Sequence, residues 1–174
     1  MNDYSSCQIE IRDVDDCGCV NTTLLRKCIR ETLRHFAIRS ARISVAIVND
    51  QRIAALHKTY LGQKRTTDVL TFDLSTDPTT TSPDEPLDGE IVISAETALR
   101  CASAKGHSVE AEIALYAVHG TLHLLGLDDS TPKKARHMHA LEDDILTAVG
   151  AGMVYDKKSK AQSRKPKTKS PKSK

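Results

Sequence analysis

The sequence predicts an α+β domain, with about four strands in a mixed sheet packed against about five helices. Three observations carry this. Short segments of alternating or continuous apolar residues recur four times. Apolar residues at helical spacing recur five times. The two kinds of segment are interleaved without the strict alternation of a doubly wound sheet.

Gln8 to Arg12 alternates polar and apolar side chains, with Ile9 and Ile11 on one face, and reads as the first strand. Asn21 and Thr22 can cap a helix in which Leu25, Ile29, Leu33 and Phe36 fall on one stripe. Arg42 to Val48 is a second strand, with Ile43, Val45 and Ile47 on one side. Asn49 and Asp50 open a helix through Ile53, Leu56 and Tyr60 that ends near Gly62. Asp68 to Phe72 is a third strand.

Asp73 to Gly89 is rich in Thr, Ser, Asp and Pro (Pro78, Pro83, Pro86) and reads as a long solvated loop. Glu90 to Ser94 is a fourth strand, apolar enough to be covered on both faces. Ser94 caps a helix carrying Leu99 and Ala102 that closes near Gly106. Ser108 caps the next, with Glu110 and Glu112 in its first turn, where the dipole favours negative charge. Ile113, Leu115, Ala117, Val118 and Leu122 make it apolar nearly all round, hence central and buried, with Gly126 as its stop. Thr131-Pro132 starts a last helix through Ala135, Met138, Leu141, Ile145 and Val149, ended by Gly150.

The 174 residues carry a formal charge of +2, and the charge is unevenly placed. Residues 156–174 hold nine Lys/Arg and one acid, whereas residues 1–155 hold 16 basic and 22 acidic side chains. The chain divides into a folded domain, 1–155, and a basic tail, 156–174, in which no core and no order is expected. A basic arm on an acidic body suits a polyanionic partner, nucleic acid first, or a solubilising or targeting role. No apolar stretch approaches the roughly 18–20 residues that span a bilayer. The polar, acidic start fits neither a signal nor a transit peptide. Five cysteines, an odd number without a CxxC pair, suit reduced thiols. Cys17-Gly18-Cys19 is half a metal motif without its other half. A cytoplasmic protein is expected.

The chemistry concentrates in His119-Gly120-Thr121-Leu122-His123-Leu124-Leu125-Gly126-Leu127-Asp128-Asp129. Helical residues four apart share a face, so His119 and His123 can converge on one metal ion, with bonds of about 2.0–2.1 Å for zinc. Were the helix to continue, Asp129 would lie about 9 Å beyond His123 and off its face. Gly126 stands where the chain can break and double back, bringing Asp129 in as third ligand. Seven histidines in 174 residues give roughly 0.3 HxxxH pairs by chance. Requiring Gly and then Asp or His at the further spacings lowers this to roughly 0.002, so the full pattern, not the pair, is informative. Asp128 is the nearest substitute ligand, and His137 and His139 are more remote. The alternative is two hydrogen-bonded core histidines and a turn aspartate.

The segment HGTLHLLGLDD resembles the YbeY family signature, approximately HGxLHLxGxDH. Thr67-Asp68-Val69-Leu70-Thr71-Phe72 is similar to that family's TDVLSF, and Gly89-Glu90-Ile91-Val92-Ile93-Ser94 to its GDIxIS. The resemblance runs from about Ile43 to Leu146. It implies a zinc-dependent, single-strand-specific endoribonuclease that matures ribosomal RNA at the 3′ end of 16S rRNA, with the small ribosomal subunit as partner. It also implies one Zn(2+) held by His119, His123 and the residue at 129, on a buried central helix. Two departures stand out. Asp129 replaces the usual third histidine, and Leu61 stands where the family usually has an arginine. The catalytic base is not identified by the sequence.

Two other readings follow from the same residues. The ligand spacing is also that of a zincin metalloprotease, HExxHxxGxx(H/D), whose glutamate base is here Gly120. A non-catalytic ribosome-assembly factor with a structural metal is the third.

Overall fold

In the computed structural model, residues 6–62, 67–75 and 86–152 are described. The tail 156–174, with the domain boundary assigned to 155, lies outside them, as do Lys64, Arg65 and most of the Pro/Thr-rich loop.

The element order is β1 (Ser6–Asp13), α1 (Thr22–His35), β2 (Ser40–Val48), α2 (Asp50–Leu61), β3 (Val69–Asp73), β4 (Leu87–Ser94), α3 (Ala95–Lys105), α4 (Val109–Leu124) and α5 (Pro132–Ala148). The four strands form one sheet in the order β1-β2-β4-β3. β1, β2 and β4 are parallel, and β3 closes the edge antiparallel to β4. The expected α+β class, mixed sheet and helix count are all present.

The caps account for the boundaries. Asn21, Asn49, Ser94, Ser108 and Thr131 each accept a backbone N–H of the helix that follows, the interaction for which these residue types are favoured at helix starts. α1, α3, α4 and α5 cover one face of the sheet over Ile43, Val45, Ile47, Ile91 and Ile93. α2 lies on the other face, over Val48, Val92 and Leu70. β4 is thus covered on both sides, which is why it reads as a continuous apolar run.

Two expectations need correction. The solvated loop does not run to Gly89, because Leu87–Gly89 belong to β4 and pair with Ala41–Ile43 of β2. Gly89 makes room there: a Cβ would lie 2.7 Å from the two terminal methyls of Leu124, which would have to shift where the end of α4 rests on the sheet. Nor does Leu99 face the core. It is 56% exposed, while Ala95, Ala98 and Ala102 are buried. A stripe of small residues lets α3 approach its neighbours closely, and Leu99 lies to one side of it, about 100° round the helix from Ala98.

Candidate metal centre

α4 is the buried central helix of the prediction, with eleven of its sixteen residues buried. It crosses the sheet at Gly120, where an added Cβ would meet Ile91 Cγ2 at 2.8 Å and Thr71 Cγ2 at 3.1 Å. That close seat fixes the helix, and with it His119 and His123, against the sheet.

The helix ends as the sequence requires. Gly126 has φ +82°, the left-handed conformation. Its N–H donates to the His123 carbonyl at 2.9 Å, and that of Leu127 to the Leu122 carbonyl at 3.0 Å. This pair of bonds is a Schellman turn. It reverses the chain so that the Leu127 carbonyl faces Nδ1 of His123 at 2.9 Å.

A carbonyl can only accept, so Nδ1 of His123 carries the hydrogen and its Nε2 presents a lone pair. His119 is set in the same way: its Nδ1 lies 2.6 Å from Oε1 of Glu142 on α5. Both Nε2 atoms turn inward, 3.0 Å apart. Asp129 Oδ2 is 3.9 Å from Nε2 of His119, and the three ligand atoms lie within 4.8 Å of one another. All three predicted ligands are therefore brought together.

Two facing imine lone pairs at this distance repel unless a proton or a metal cation lies between them. Tetrahedral zinc with bonds of about 2.0–2.1 Å would hold such nitrogens about 3.3 Å apart. The two-nitrogen, one-oxygen donor set suits that ion, and Asp129, with 45% of its side chain exposed, is free to close the remaining distance. Burial works against a charged His119 ring, but the Glu142 carboxylate outweighs it, aided by the charges of Asp129 and Asp68, and holds the pKa above the ordinary histidine value.

Asp128 stands outside the cluster. Its Oδ1 accepts from the backbone N–H of Ser130 at 2.8 Å and its Oδ2 from Lys134 Nζ at 2.6 Å, which hold its carboxyl well below the usual range. His137 is exposed on α5 and outside the cluster. The side chain of Leu61 lies outside the described residues.

Sequence reasoning missed Glu142, which is fully buried. Its signal was available: it stands four residues after Met138 and three before Ile145, on the buried stripe of α5, where an unpaired acid is not tolerated. Asp68, expected as the first residue of the third strand, carries a charge that reaches His119. It precedes β3 and accepts from the Val69 N–H at 3.0 Å.

A sequence description of the endoribonuclease YbeY family matches residues 11–150. The chain is 43% identical over 119 residues to "Endoribonuclease YbeY" of Moorella thermoacetica, covering 63% of this chain and 74% of that protein. It is 36% identical over 144 residues to the protein of the same name from Carboxydothermus hydrogenoformans, covering 81% and 96%. With the Myxococcus xanthus relative it shares 38% identity over 133 residues, 76% of this chain but only 44% of that protein. The solution structure of TM1509 from Thermotoga maritima is similar in fold, with a TM-score of 0.53 at 19% identity, covering 94% of this chain and 99% of that one. The family match and the relatives define the class as that of endoribonucleases. The chain belongs to the YbeY endoribonuclease family.

Proposed function

We propose that this chain is a zinc-dependent, single-strand-specific endoribonuclease of the cytoplasm that matures ribosomal RNA at the 3′ end of 16S rRNA, on or near the small ribosomal subunit. The observation that carries the metal part is the convergence of two oriented Nε2 atoms and the Asp129 carboxylate. Membership of the YbeY family supports the RNA part.

His119, His123 and Asp129 would hold one Zn(2+). Glu142 and the Leu127 carbonyl orient the two rings and fix their tautomers, the usual task of partners behind metal-bound histidines. Bound there, zinc would lower the pKa of a coordinated water toward ~7 and polarise a phosphoryl oxygen. The exposed side of the cluster, at Asp129, is where a flexible phosphodiester strand can approach. Asp129 in place of a neutral ligand also leaves the centre less positive.

The zincin reading is disfavoured by packing as well as by chemistry. A Cβ at position 120 would press on Ile91 at 2.8 Å and Thr71 at 3.1 Å, so a glutamate base there would strain the seat of α4 on the sheet. The test uses the full chain loaded with zinc, assayed on single-stranded RNA and on casein beside His119→Ala, with metal content measured for wild type and His123→Ala. RNA cleavage lost with His119, and stoichiometric zinc lost with His123, are the expected results. Casein cleavage, or bound metal without any RNA cleavage, would replace the proposal with the protease or the assembly-factor reading.

A further inference from the structure

The outer face of α1 is predominantly basic. Between Thr22 and Arg42 the sequence has six Lys/Arg (Arg26, Lys27, Arg30, Arg34, Arg39, Arg42) and one acid, Glu31. The rest of residues 1–155 carries ten basic and twenty-one acidic side chains, so this segment is a positive island on a negative body.

Its arrangement follows from the helix. Leu25, Cys28, Ile29, Thr32 and Leu33 form the buried stripe. Lys27, Arg30 and Arg34 fall opposite it at i, i+3 and i+7, all exposed and spanning ~10 Å along the axis. An ordinary solvated face mixes signs and pairs them at i, i+4. Here, on α1, only Arg34 has an ion-pair partner, Glu31, and its side chain stays largely exposed beside it, while Arg26, Lys27, Arg30 and Arg39 enter no ion pair among the described residues. No acid occupies the first turn of α1, where the dipole would favour one. Like charges one turn apart disfavour the isolated helix, so nothing in the fold itself accounts for the stripe.

The stripe is also well placed. α1 and α4 pack on the same face of the sheet. α1 ends just before β2 begins at Ser40. α4 ends over Gly89, which pairs with Ile43 of β2. The C-terminal ends of both helices therefore lie at the same end of the sheet, where the 125–131 turn delivers Asp129.

We infer that the outer face of α1, centred on Lys27, Arg30 and Arg34 and extended by Arg39, is a docking surface for the phosphate backbone of the RNA substrate. It contributes affinity rather than sequence choice, since cations of this kind read charge and not bases. The inference rests on the RNA-cleaving reading and adds to it the surface that holds the strand.

The experiment measures binding apart from cleavage. Anisotropy of a labelled single-stranded RNA is recorded against salt, in chelator, for the full-length chain. Variants are the triple Lys27→Gln/Arg30→Gln/Arg34→Gln and a charge-matched control on other surfaces, Arg12→Gln/Arg52→Gln/Arg100→Gln. Three lost phosphate contacts should lower the magnitude of the log–log salt slope by about 2, at about 0.7 per contact on single strands. The control should leave it nearly unchanged. A second variant, Lys27→Glu/Arg30→Glu, leaves the Arg34–Glu31 pair in place and should weaken binding as well. Circular dichroism checks that each variant folds. An unchanged slope in the triple variant, or an equal fall in the control, would overturn the inference. Failure of the nuclease reading would show separately, as RNA that is bound but not cut by the zinc-loaded wild type.

Discussion

Glu142, with no exposed surface, places its carboxylate 2.6 Å from Nδ1 of His119 on the neighbouring helix. Its other oxygen has no hydrogen-bond partner among the described residues. The pair ties α5 to α4 and presents Nε2 of His119 to the cluster formed with His123 and Asp129, so one contact serves both the fold and the site. Glu142→Gln keeps the shape and the acceptor but removes the charge. Zinc affinity, measured by competition with a chromophoric chelator, should fall about 10–100-fold. His119→Ala should unfold more easily than His123→Ala by about 1–3 kcal/mol, because it strands a buried carboxylate. Denaturant titration of the metal-free variants reads that difference. Equal stabilities would mean that the pair contributes nothing to folding.

Gly120 sets two effects against each other. Alanine in a helix interior is favoured over glycine by about 1 kcal/mol. Against that, its methyl would press on Ile91 at 2.8 Å and Thr71 at 3.1 Å, and overpacking of this kind costs about 1–3 kcal/mol. The strain should win, so Gly120→Ala lowers the thermal midpoint and Gly120→Glu lowers it further. A Gly120→Glu chain as stable as wild type would reopen the protease reading.

Asp50 links α2 to α3. Its carboxylate accepts from Thr97 Oγ1 at 2.8 Å and pairs with Arg100 at 2.7 Å. Partial burial pushes its pKa up, but the bonds from Arg100, Ser94 and Thr97 prevail and hold it below the ordinary value. A depressed carboxyl pKa gives stability that is present above the unfolded value, about 3.9, and lost as pH falls through the folded one. Asp50→Asn should therefore destabilise the chain at neutral pH, and its gap to wild type should close as pH falls from the unfolded value through the lower folded one. Urea midpoints across that range provide the check, and a gap that persists in acid would point to packing instead.

The basic tail yields a prediction from sequence alone. Residues 157–174 carry nine Lys/Arg and no acid. Deleting them should weaken RNA binding and flatten its salt dependence, by at most about 6 in slope were every cation to meet a phosphate. Affinity and slope that both survive the deletion would assign the tail another task.

The strands and helices were legible because their signals are local. Caps such as Asn49 and Ser108 stand next to the helices they start, and Gly126 announces the reversal that Asp129 needs. What escaped was set by neighbours distant in sequence. Leu99 satisfies a helical period as well as Ala98 does, and only the closeness of the packed helices selects the small residue. Gly89 reads as loop until Leu124 is seen to rest on it. Glu142 looks like surface because its adjacent Leu141 fits the same stripe, and its role depends on a histidine 23 residues away.

Gly126 joins backbone conformation to the site most directly. At φ +82° an L-residue meets its own carbonyl, at a cost of about 1–2 kcal/mol. A Cβ there meets nothing within 4 Å, so the penalty of Gly126→Ala is one of backbone conformation and not of crowding. If the turn relaxes to escape that strain, the Leu127 carbonyl moves away from Nδ1 of His123 and Asp129 swings from the two imidazoles. Gly126→Ala should accordingly lose about 1 kcal/mol of stability and, separately, a larger share of zinc affinity than that loss of folding explains. Gly126→Asn, which accepts the left-handed region more readily, should recover much of both. Metal titration beside denaturant unfolding separates the two. Zinc binding untouched in Gly126→Ala would show that the third ligand does not depend on this turn.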